Sequence, residues 1–261
     1  MTSNSAISLK NISKFYGGMQ ALNSVNLEIK PGEVTCILGD NGAGKSTLIK
    51  IISGLHQADE GEMLVNGSKV NFTSPREALD AGIATVYQDL AVVDLMETWR
   101  NFFLGSEIRK NIPLLKPLDV KAMREIASTE LERFGIKLTN INQVMGTLSG
   151  GQRQCVAITR AVYFGAKVLI LDEPTAALGV KQSSVVLNYV DKAREVGLAV
   201  IFITHNPRHA YLIGDHFLIL KLGKVNLDAY RSEISSEQLV REMAGGEELV
   251  LLAQQLENKD K

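Results

Sequence analysis

The stretch GDNGAGKS at residues 39–46 could bind phosphate groups. It fits the pattern G-x-x-x-x-G-K-[ST], whose glycines let backbone N–H groups approach phosphate oxygens. Lys45 would pair with the β and γ phosphates, the Ser46 hydroxyl suits Mg²⁺, and Thr47 adds a donor near the α phosphate. A chance glycine-rich turn is the alternative, but an apolar strand before it and a helix after it argue against that. The predicted phosphate-binding residues are Gly39, Asp40, Asn41, Gly42, Ala43, Gly44, Lys45, Ser46 and Thr47.

Two adjacent acids close the apolar stretch VLILDEP at residues 168–174. Ligands bind at the carboxyl ends of strands in parallel sheets. We expect Asp172 to hold Mg²⁺ through water, because Mg²⁺ keeps several of its waters in proteins. Glu173 is the candidate general base for an attacking water. The alternative is that these acids merely cap the next turn. A phosphate loop needs an acidic residue nearby, and this argues against that alternative.

Polar residues also end two other apolar strands. His205 follows AVIFIT and is expected near the γ phosphate, where its imidazole could contact that phosphate or orient Glu173 and the water. Gln88 ends IATVYQ and could touch Mg²⁺ or the water. A lone histidine is more often structural, but the neighbouring motifs favour a role in catalysis. The predicted catalytic residues are Glu173, His205 and Gln88, and the predicted metal-binding residues are Ser46, Gln88 and Asp172.

A second candidate anion site lies in TLSGGQRQCVAITR, residues 147–160. Ser149 is a good N-cap, and Gln152 three residues later completes a capping box. A helix start with two glycines in its first turn offers uncrowded N–H donors and the positive end of the helix dipole. A merely well-capped helix is the alternative, and it leaves the paired glycines unexplained.

Alternating strands and helices must position these groups. Strands are predicted at 7–12, 25–29, 34–38, 62–65, 83–87, 168–171, 199–204, 217–220 and 224–227, and helices at 45–54, 75–81, 120–134, from 150 and at 181–195. This order predicts an α/β fold with a mainly parallel sheet covered on both faces. Helical periodicity from about 89 to 165 predicts a helical insertion. We expect one domain over 1–246 and a C-terminal tail over 247–261.

The bulk composition is that of an ordinary soluble domain, with 261 residues, 45% of them hydrophobic and 22% charged. A formal net charge of −1 is not the excess of positive charge that is typical of nucleic-acid-binding proteins, so no nucleic-acid partner is expected. The polar start MTSNSAIS shows no secretory signal, and no apolar run approaches the roughly 20 residues that span a bilayer. Cys36 and Cys155 have no metal-type spacing, so we expect buried thiols in a reducing cytosol.

In this order the motifs resemble those of the ATP-binding subunits of ABC transporters over nearly the whole chain. GDNGAGKST resembles the family's phosphate loop, YQD at 87–89 its glutamine loop, LSGGQ at 148–152 its signature sequence, LILDEP its second Walker motif, and His205 its switch histidine. Tyr16 falls where the family places an aromatic ring against adenine. The resemblance implies an ABC-type ATPase domain that uses ATP and Mg²⁺, in which a P-loop NTPase core with a mainly parallel sheet carries an antiparallel β subdomain and a helical insertion.

The resemblance also implies a partner copy. In such proteins two ATP-binding subunits pack head to tail, so that the signature helix of one faces the ATP held by the other. The residues expected to contact ATP across this interface are Leu148, Ser149, Gly150, Gly151 and Gln152. Hydrolysis would remove the shared phosphate contacts and let the two halves part.

Finer features resemble the importer branch that takes up monosaccharides of the ribose and fructose type. They are NISKFYGGMQALNSVNLEI, HQADEGEMLVNG and NFFLG, although much of that branch carries two fused nucleotide domains. The resemblance implies transmembrane permease subunits as separate chains, with a periplasmic or extracellular solute-binding protein reached through them. It places the chain peripherally at the cytoplasmic face of the inner membrane. The alternatives are an importer of a non-sugar solute, a soluble ABC ATPase acting on DNA or ribosomes, and a regulatory ATP-binding module without turnover.

Two regions leave questions for the structure. The segment 89–105, with Trp99, Phe102 and Phe103, is the candidate groove for a permease helix, although these aromatics could equally be core. The loop TAALG at 175–179 ends in Gly179 where many relatives have aspartate, in a loop that crosses between the two ATP sites of the dimer. Glu173 and His205 remain, so we still expect hydrolysis.

Overall fold

A computed structural model describes residues 5–112 and 116–244, and the predicted tail at 247–261 lies outside them. The strands are β1 (Ile7–Tyr16), β2 (Met19–Ile29), β3 (Val34–Leu38), β4 (Glu60–Val65), β5 (Ser68–Val70), β6 (Ile83–Val86), β7 (Val168–Asp172), β8 (Ala199–Thr204), β9 (His216–Lys221) and β10 (Lys224–Tyr230). The helices are α1 (Lys45–Ile52), α2 (Pro75–Asp80), α3 (Thr98–Phe103), α4 (Val120–Arg133), α5 (Gly150–Tyr163), α6 (Val180–Glu195), α7 (Pro207–Ile213) and α8 (Ser236–Met243).

The larger sheet has six strands in the order β10-β9-β3-β8-β7-β6. Strands β6, β7, β8, β3 and β9 run parallel to one another, and β10 returns antiparallel to β9. Every residue of β3 and β8 is buried, as expected for strands covered on both faces. The predicted mainly parallel α/β core is therefore confirmed.

The smaller sheet is antiparallel, with the order β2-β1-β4-β5. Its central strand β1 pairs with β2 and β4, so that Ile7 lies opposite Ile29 on one side and Val65 on the other. This sheet is the predicted antiparallel β subdomain. β1 and β2 run farther than the sequence indicated, because pairing continues through register shifts to Tyr16 and Met19.

The alternating side chains of the buried strands divide the core in two. Val34, Cys36 and Leu38 of β3 join the cluster that contains the helical insertion. Ile37 points the other way and joins the cluster with α1 and the antiparallel sheet. Because side chains alternate across a strand, β3 holds these two layers together. Its carboxyl end is thereby fixed between them.

The helical insertion, predicted at about 89–165, contains α3, α4 and α5. Trp99, Phe102 and Phe103 are buried within it, with at most 2% of each residue exposed. Phe102 and Phe103 pack on the rings of Tyr163 and Phe164 at centroid distances of 5.4–6.2 Å. The core alternative is therefore right for these three aromatics, and their assignment as groove anchors is wrong. Within residues 5–112 and 116–244, no helix is both long and apolar enough to cross a membrane.

Candidate functional site

The glycine-rich loop lies between β3 and α1, braced from behind by other parts of the chain. Gly39 has φ +145° and Gly44 has φ +107°, conformations that a side chain would strain. A Cβ on Gly44 would lie 2.8 Å from the carbonyl oxygen of Ala21, and one on Gly39 would overlap the carbonyl oxygen of Leu220. The loop also accepts a hydrogen bond from Gly223 N–H to the Ala43 carbonyl, 3.0 Å long. Its shape is therefore set by packing against both sheets.

Lys45 is the buried cation of this loop, with 7% of the residue exposed. Its Nζ donates to the Gly39 carbonyl at 2.6 Å and to the Asp40 carbonyl at 3.0 Å. Burial lowers the pKa of Lys45, while the nearby carboxylates of Glu173, Asp40 and Asp172 oppose that shift. The ammonium group has three donors, so one more is available to an anion that enters the loop.

The remaining predicted loop residues lie around Lys45. Asp40, Asn41 and Gly42 are exposed, and Ser46 and Thr47 stand in the first turn of α1 with Ser46 exposed. The helix start thus presents N–H groups and a hydroxyl to solvent beside the buried ammonium. Backbone donors, a cation and a helix N-terminus together suit a phosphate chain.

Asp172 and Glu173 stand at the end of β7, next to β8 in the sheet. Burial raises the pKa of Asp172, and the charge of Glu173 adds to this rise while Lys45 opposes it. Glu173 has φ +48°, a left-handed conformation that is unfavourable for a residue with a side chain. Its N–H donates to the carbonyl of Ile203 on β8 at 3.0 Å, which fixes the turn that follows the strand.

His205 follows β8 and is bonded to Glu173. The distance between His205 Nδ1 and Glu173 Oε1 is 2.9 Å, with 13% of the Glu173 side chain and 57% of the His205 side chain exposed. Among the described residues, nothing hydrogen-bonds the buried Oε2 of Glu173. One carboxylate oxygen is thus held by the imidazole, and the other is buried without a hydrogen-bond partner from residues 5–112 or 116–244.

The sheet order brings the strand-end groups together. Val86 of β6 lies opposite Leu171, Asp172 lies opposite Ile203, and Thr204 lies opposite Leu38. The segments that follow these four strands therefore share one edge of the sheet. Along that edge they carry Gln88, the Asp172–Glu173 pair, His205 and the glycine-rich loop. Gln88 is exposed two residues beyond β6.

Tyr16 ends β1 at the tip of the β1–β2 hairpin, with 39% of the residue exposed. Its ring meets that of His56, just beyond α1, at a centroid distance of 5.9 Å, and Lys14 Nζ lies 5.7 Å from its centre. Since β2 also supplies Ala21 behind Gly44, the hairpin carrying Tyr16 belongs to the same body as the loop. An exposed aromatic face there could stack on a planar ring.

The predicted helix start at 148–152 is present at the start of α5, with Leu148 buried before it. Gln152 N–H donates to Ser149 Oγ at 3.3 Å, and Ser149 N–H donates to Gln152 Oε1 at 3.0 Å, so the capping box is complete. A Cβ on Gly150 would lie 2.9 Å from Leu178 Cδ2, and one on Gly151 would lie 3.3 Å from the Gln182 carbonyl oxygen. Close packing within the chain is thus a second reason why both positions are glycine, and it was not predicted from the sequence.

A further link between strand-end segments was also missed. Thr175 Oγ1 lies 3.0 Å from His209 Nδ1, which joins the segment after Glu173 to the first turn of α7. Asn206 followed by Pro207, an N-cap with proline at the first helical position, was the available signal for α7.

A glycine-rich loop between a buried strand and a helix, with two acids ending a nearby parallel strand, defines a P-loop nucleotide-binding domain. The sequence profile of the family described as ABC transporter matches residues 22–176. The chain belongs to the ABC transporter family. It is one of the ATP-binding chains of that family, with ATPase activity.

Individual relatives agree with this assignment. The chain is 42% identical to a xylose/arabinose import ATP-binding protein of Sulfolobus acidocaldarius, covering 91% of this chain and 93% of the relative. It is 45% identical to a fructose import ATP-binding protein of Rhizobium meliloti, covering 84% and 85%. A ribose import ATP-binding protein of Bacillus subtilis is 34% identical, and the chain spans 48% of its length.

Solved structures show the same fold. The ADP conformation of an ATP-binding cassette of an ABC transporter matches with a TM-score of 0.78 and 27% identity, covering 91% of this chain and 94% of that one. A dimeric bacterial ABC transporter cassette matches with a TM-score of 0.71 and 30% identity, covering 86% and 98%. The ABC-type ATPase fold expected from the motifs is confirmed.

Proposed function

We propose that this chain is the ATP-hydrolysing subunit of an importer that takes up a monosaccharide. The observation that carries the proposal is the single sheet edge that holds the phosphate loop, Asp172 and the bonded pair Glu173–His205. Relatives named as importers of xylose or arabinose, fructose and ribose support a monosaccharide, with fructose or ribose among the candidates.

The proposed roles follow from the geometry of the edge. The loop N–H groups and Lys45 bind the β and γ phosphates, and Tyr16 stacks on the adenine. Glu173 takes a proton from the attacking water, and His205 holds one of its carboxylate oxygens and faces the γ phosphate. Gln88 orients the same water from the end of β6. Hydrolysis then breaks the bond between the β and γ phosphoryl groups, and the water oxygen joins the γ phosphorus.

Mg²⁺ is the metal that the edge suits best. Ser46, Asp172 and Gln88 offer a hydroxyl, a carboxylate and an amide oxygen, the hard donors that this ion prefers. The raised pKa of Asp172 beside a second carboxylate marks a place where added positive charge would be favourable. When bound with ATP, Mg²⁺ would neutralise phosphate charge. Ser46 and Gln88 would contact it, and Asp172 would act through a water.

A second copy of the chain would complete the site. Ser149, Gly150, Gly151 and Gln152 present a helix start, and the nearest groups to a Cβ on Gly150 or Gly151 are Leu178 and Gln182 rather than the phosphate loop. We propose that this helix start donates to the γ phosphate held by the other copy. The likeness to a dimeric cassette supports such an arrangement. ATP would then join the two halves until hydrolysis.

A groove between the core and the helical insertion is the proposed docking site for a permease helix. It has a volume of about 620 Å³ and is lined in part by Leu79, Tyr87, Leu90, Val92, Arg160 and Phe164. Leu79 and Phe164 leave apolar surface exposed at its rim. Because its walls come from both β6 and α5, a helix lying there would contact both parts of the chain. Of the segment 89–105, residues 90–92 line this groove, whereas its three aromatics are core.

The proposed assembly has two ATP-binding subunits beneath transmembrane permease subunits. A periplasmic or extracellular solute-binding protein would deliver the sugar through the permease. The chain would then sit peripherally at the cytoplasmic face of the inner membrane. No role for nucleic acid enters the proposal.

The shared ATP site can be tested with an inter-subunit disulfide. Asn41 in the exposed loop and Ser149 at the helix start are each changed to cysteine in one chain. The native Cys36 and Cys155 are free and buried, so background cross-linking is expected to be low. We expect a disulfide-linked dimer that forms faster with ATP and does not form with either single variant. Cross-linking unaffected by ATP would refute the shared site.

Substrate class is tested on the complex purified from its native membrane and placed in liposomes. Monosaccharides presented with the solute-binding protein should stimulate ATP hydrolysis, whereas amino acids and peptides should not. Stimulation by a non-sugar solute alone would overturn the substrate class. Stimulation of the isolated chain by DNA or ribosomes would overturn the transport role.

A further inference from the structure

Two side-chain links join the segment 173–175 to the segment 205–209. The inner link is the bond between Glu173 and His205 described above. The outer link joins Thr175 Oγ1 to His209 Nδ1 at 3.0 Å. Thr175 is 3% exposed and His209 is half-buried, so the outer link is shielded from water. A hydrogen bond inside a protein is stronger than the same bond in water.

Both ends of the outer link belong to well-formed local structure. The side chain of Asn206 accepts hydrogen bonds from the N–H groups of Arg208 and His209 at 3.0 and 3.2 Å, which fixes the first turn of α7. On the other side, Ala176 N–H donates to the Glu173 carbonyl at 3.2 Å, which closes the turn containing Thr175. The link therefore joins two fixed segments.

The turn at Glu173 needs such restraint. A left-handed backbone is unfavourable for a residue with a side chain, and it persists only when its surroundings enforce it. The N–H of Glu173 is held by the Ile203 carbonyl, and its carboxylate is held by His205. The hydroxyl of Thr175 supplies a third restraint two residues farther on, where the chain leaves the strand end.

We propose that Thr175 and His209 are positioning residues that keep Glu173 and His205 aligned for hydrolysis. This inference rests on the proposed function, in which Glu173 is the general base. The two residues act through the backbone of the 173–175 turn and through the first turn of α7. Loss of either partner frees the turn and lowers the rate of the chemical step, while the nucleotide is still held by the loop around Lys45.

The test is steady-state ATP hydrolysis by the full chain with Thr175→Val, which removes the hydroxyl and keeps the shape. We expect kcat to fall about tenfold with KM within about twofold of the parent. Thr175→Ser keeps the hydroxyl and should restore kcat. His209→Phe should match Thr175→Val, and the double variant should be no worse than either single one, as expected for coupled partners.

Thr98→Val is the matched control, because its buried hydroxyl donates to the Gln143 carbonyl at 2.8 Å in the helical insertion. It should leave kcat and KM unchanged. The inference is overturned if Thr175→Val keeps the parent kcat. It is also overturned if Thr175→Ser fails to restore kcat, or if Thr98→Val lowers it equally.

A second measurement does not depend on turnover. In protein labelled with ¹⁵N-histidine, Thr175→Val should move the ring signals of His205 and His209. His216 lies on β9 and is buried beside Asp228 of β10, so its ring signals should not move. If the parent chain does not hydrolyse ATP, the proposed function fails, and the NMR comparison still decides the inference. An unmoved His205 signal would overturn it.

Discussion

Replacing Glu173 with glutamine should stop hydrolysis and also make the chain harder to unfold. In the native state this side chain is 13% exposed, and one of its oxygens bonds His205 at 2.9 Å. No group in the described part of the chain hydrogen-bonds its other, buried oxygen. The carboxylate also stands next to Asp172 and helps to raise the pKa of that residue. Glutamine keeps the size of the side chain and removes its charge.

Opposing effects set the size of the stability change. A buried polar group without a partner costs about 1–3 kcal/mol, and more when it is charged. The amide still buries an unpaired group, makes a weaker bond to His205 and loses the attraction of Glu173 to the Lys45 ammonium, so we expect a net gain of only about 1 kcal/mol at neutral pH. That gain corresponds to a rise in Tm of about 2–4 °C. Loss of a general base lowers a rate by about 10²–10⁴.

The pH dependence has a definite sign. Because the folded pKa of Asp172 is raised, the folded state binds its proton more readily than the unfolded chain does. The cost of the charged pair is therefore present at neutral pH and is relieved as the pH falls through the folded pKa. Glu173→Gln lowers the pKa of Asp172, so the stability difference between variant and parent should be largest at neutral pH and should shrink in acid.

Urea unfolding without nucleotide, at neutral and at acidic pH, measures the stability change, and phosphate release measures hydrolysis. Glu60→Gln is the matched control, since Glu60 is exposed on β4 and its replacement should change stability by less than about 0.5 kcal/mol. Light scattering with ATP should show a stable dimer of Glu173→Gln. A variant less stable than the parent at neutral pH would refute the electrostatic reasoning, and hydrolysis at the parent rate would refute the assignment of the base.

Three further predictions concern residues of the phosphate loop, of the start of α6 and of the core. Lys45→Ala should weaken ATP binding by about a hundredfold, since charge-assisted hydrogen bonds contribute about 1.5–3 kcal/mol each; calorimetry with ATP measures this, and unchanged affinity would contradict it. Gly179→Asp should raise the free energy of unfolding by a few tenths of a kcal/mol, because Gly179 is the N-cap of α6 with extended backbone and no acid follows in the first turn; Gly179→Ala, a poor cap, should not raise it. Burial raises the pKa of the Cys36 and Cys155 thiols, so thiol reagents should react with them only as the chain unfolds, and rapid reaction of the native chain would be the contrary result.

Strong local patterns made the central elements predictable. β3 and β8 were predicted with their observed bounds, because short continuous apolar runs that end at polar residues have few structural interpretations other than a buried strand. The capping box at Ser149 was also predicted from spacing alone. The same S-x-x-Q spacing at Ser235 and Gln238 begins α8, which was missed because the segment is short and mostly polar. The predicted roles of the site residues remain predictions.

Contacts between distant segments could not be read from the sequence. The residues around Trp99 do not distinguish a groove from a core, because aromatic residues at helical spacing occur in both. The approach of Gly150 to Leu178, and the bond between Thr175 and His209, each depend on how neighbouring helices pack. Periodicity indicates which face of an element is apolar, and it leaves open which residue lies opposite.

The close packing of the phosphate loop against β9 and β2 has a thermodynamic consequence. Gly39 and Gly44 fit against carbonyls of β9 and β2, so the anion receptor is already shaped before a ligand arrives. A triphosphate would then lose little affinity to the ordering of its receptor, and its association would need no slow rearrangement at that point. Slow steps in a reaction cycle would instead occur at the proposed interface between two copies of the chain, where the helix start at 149–152 must approach and leave the other copy.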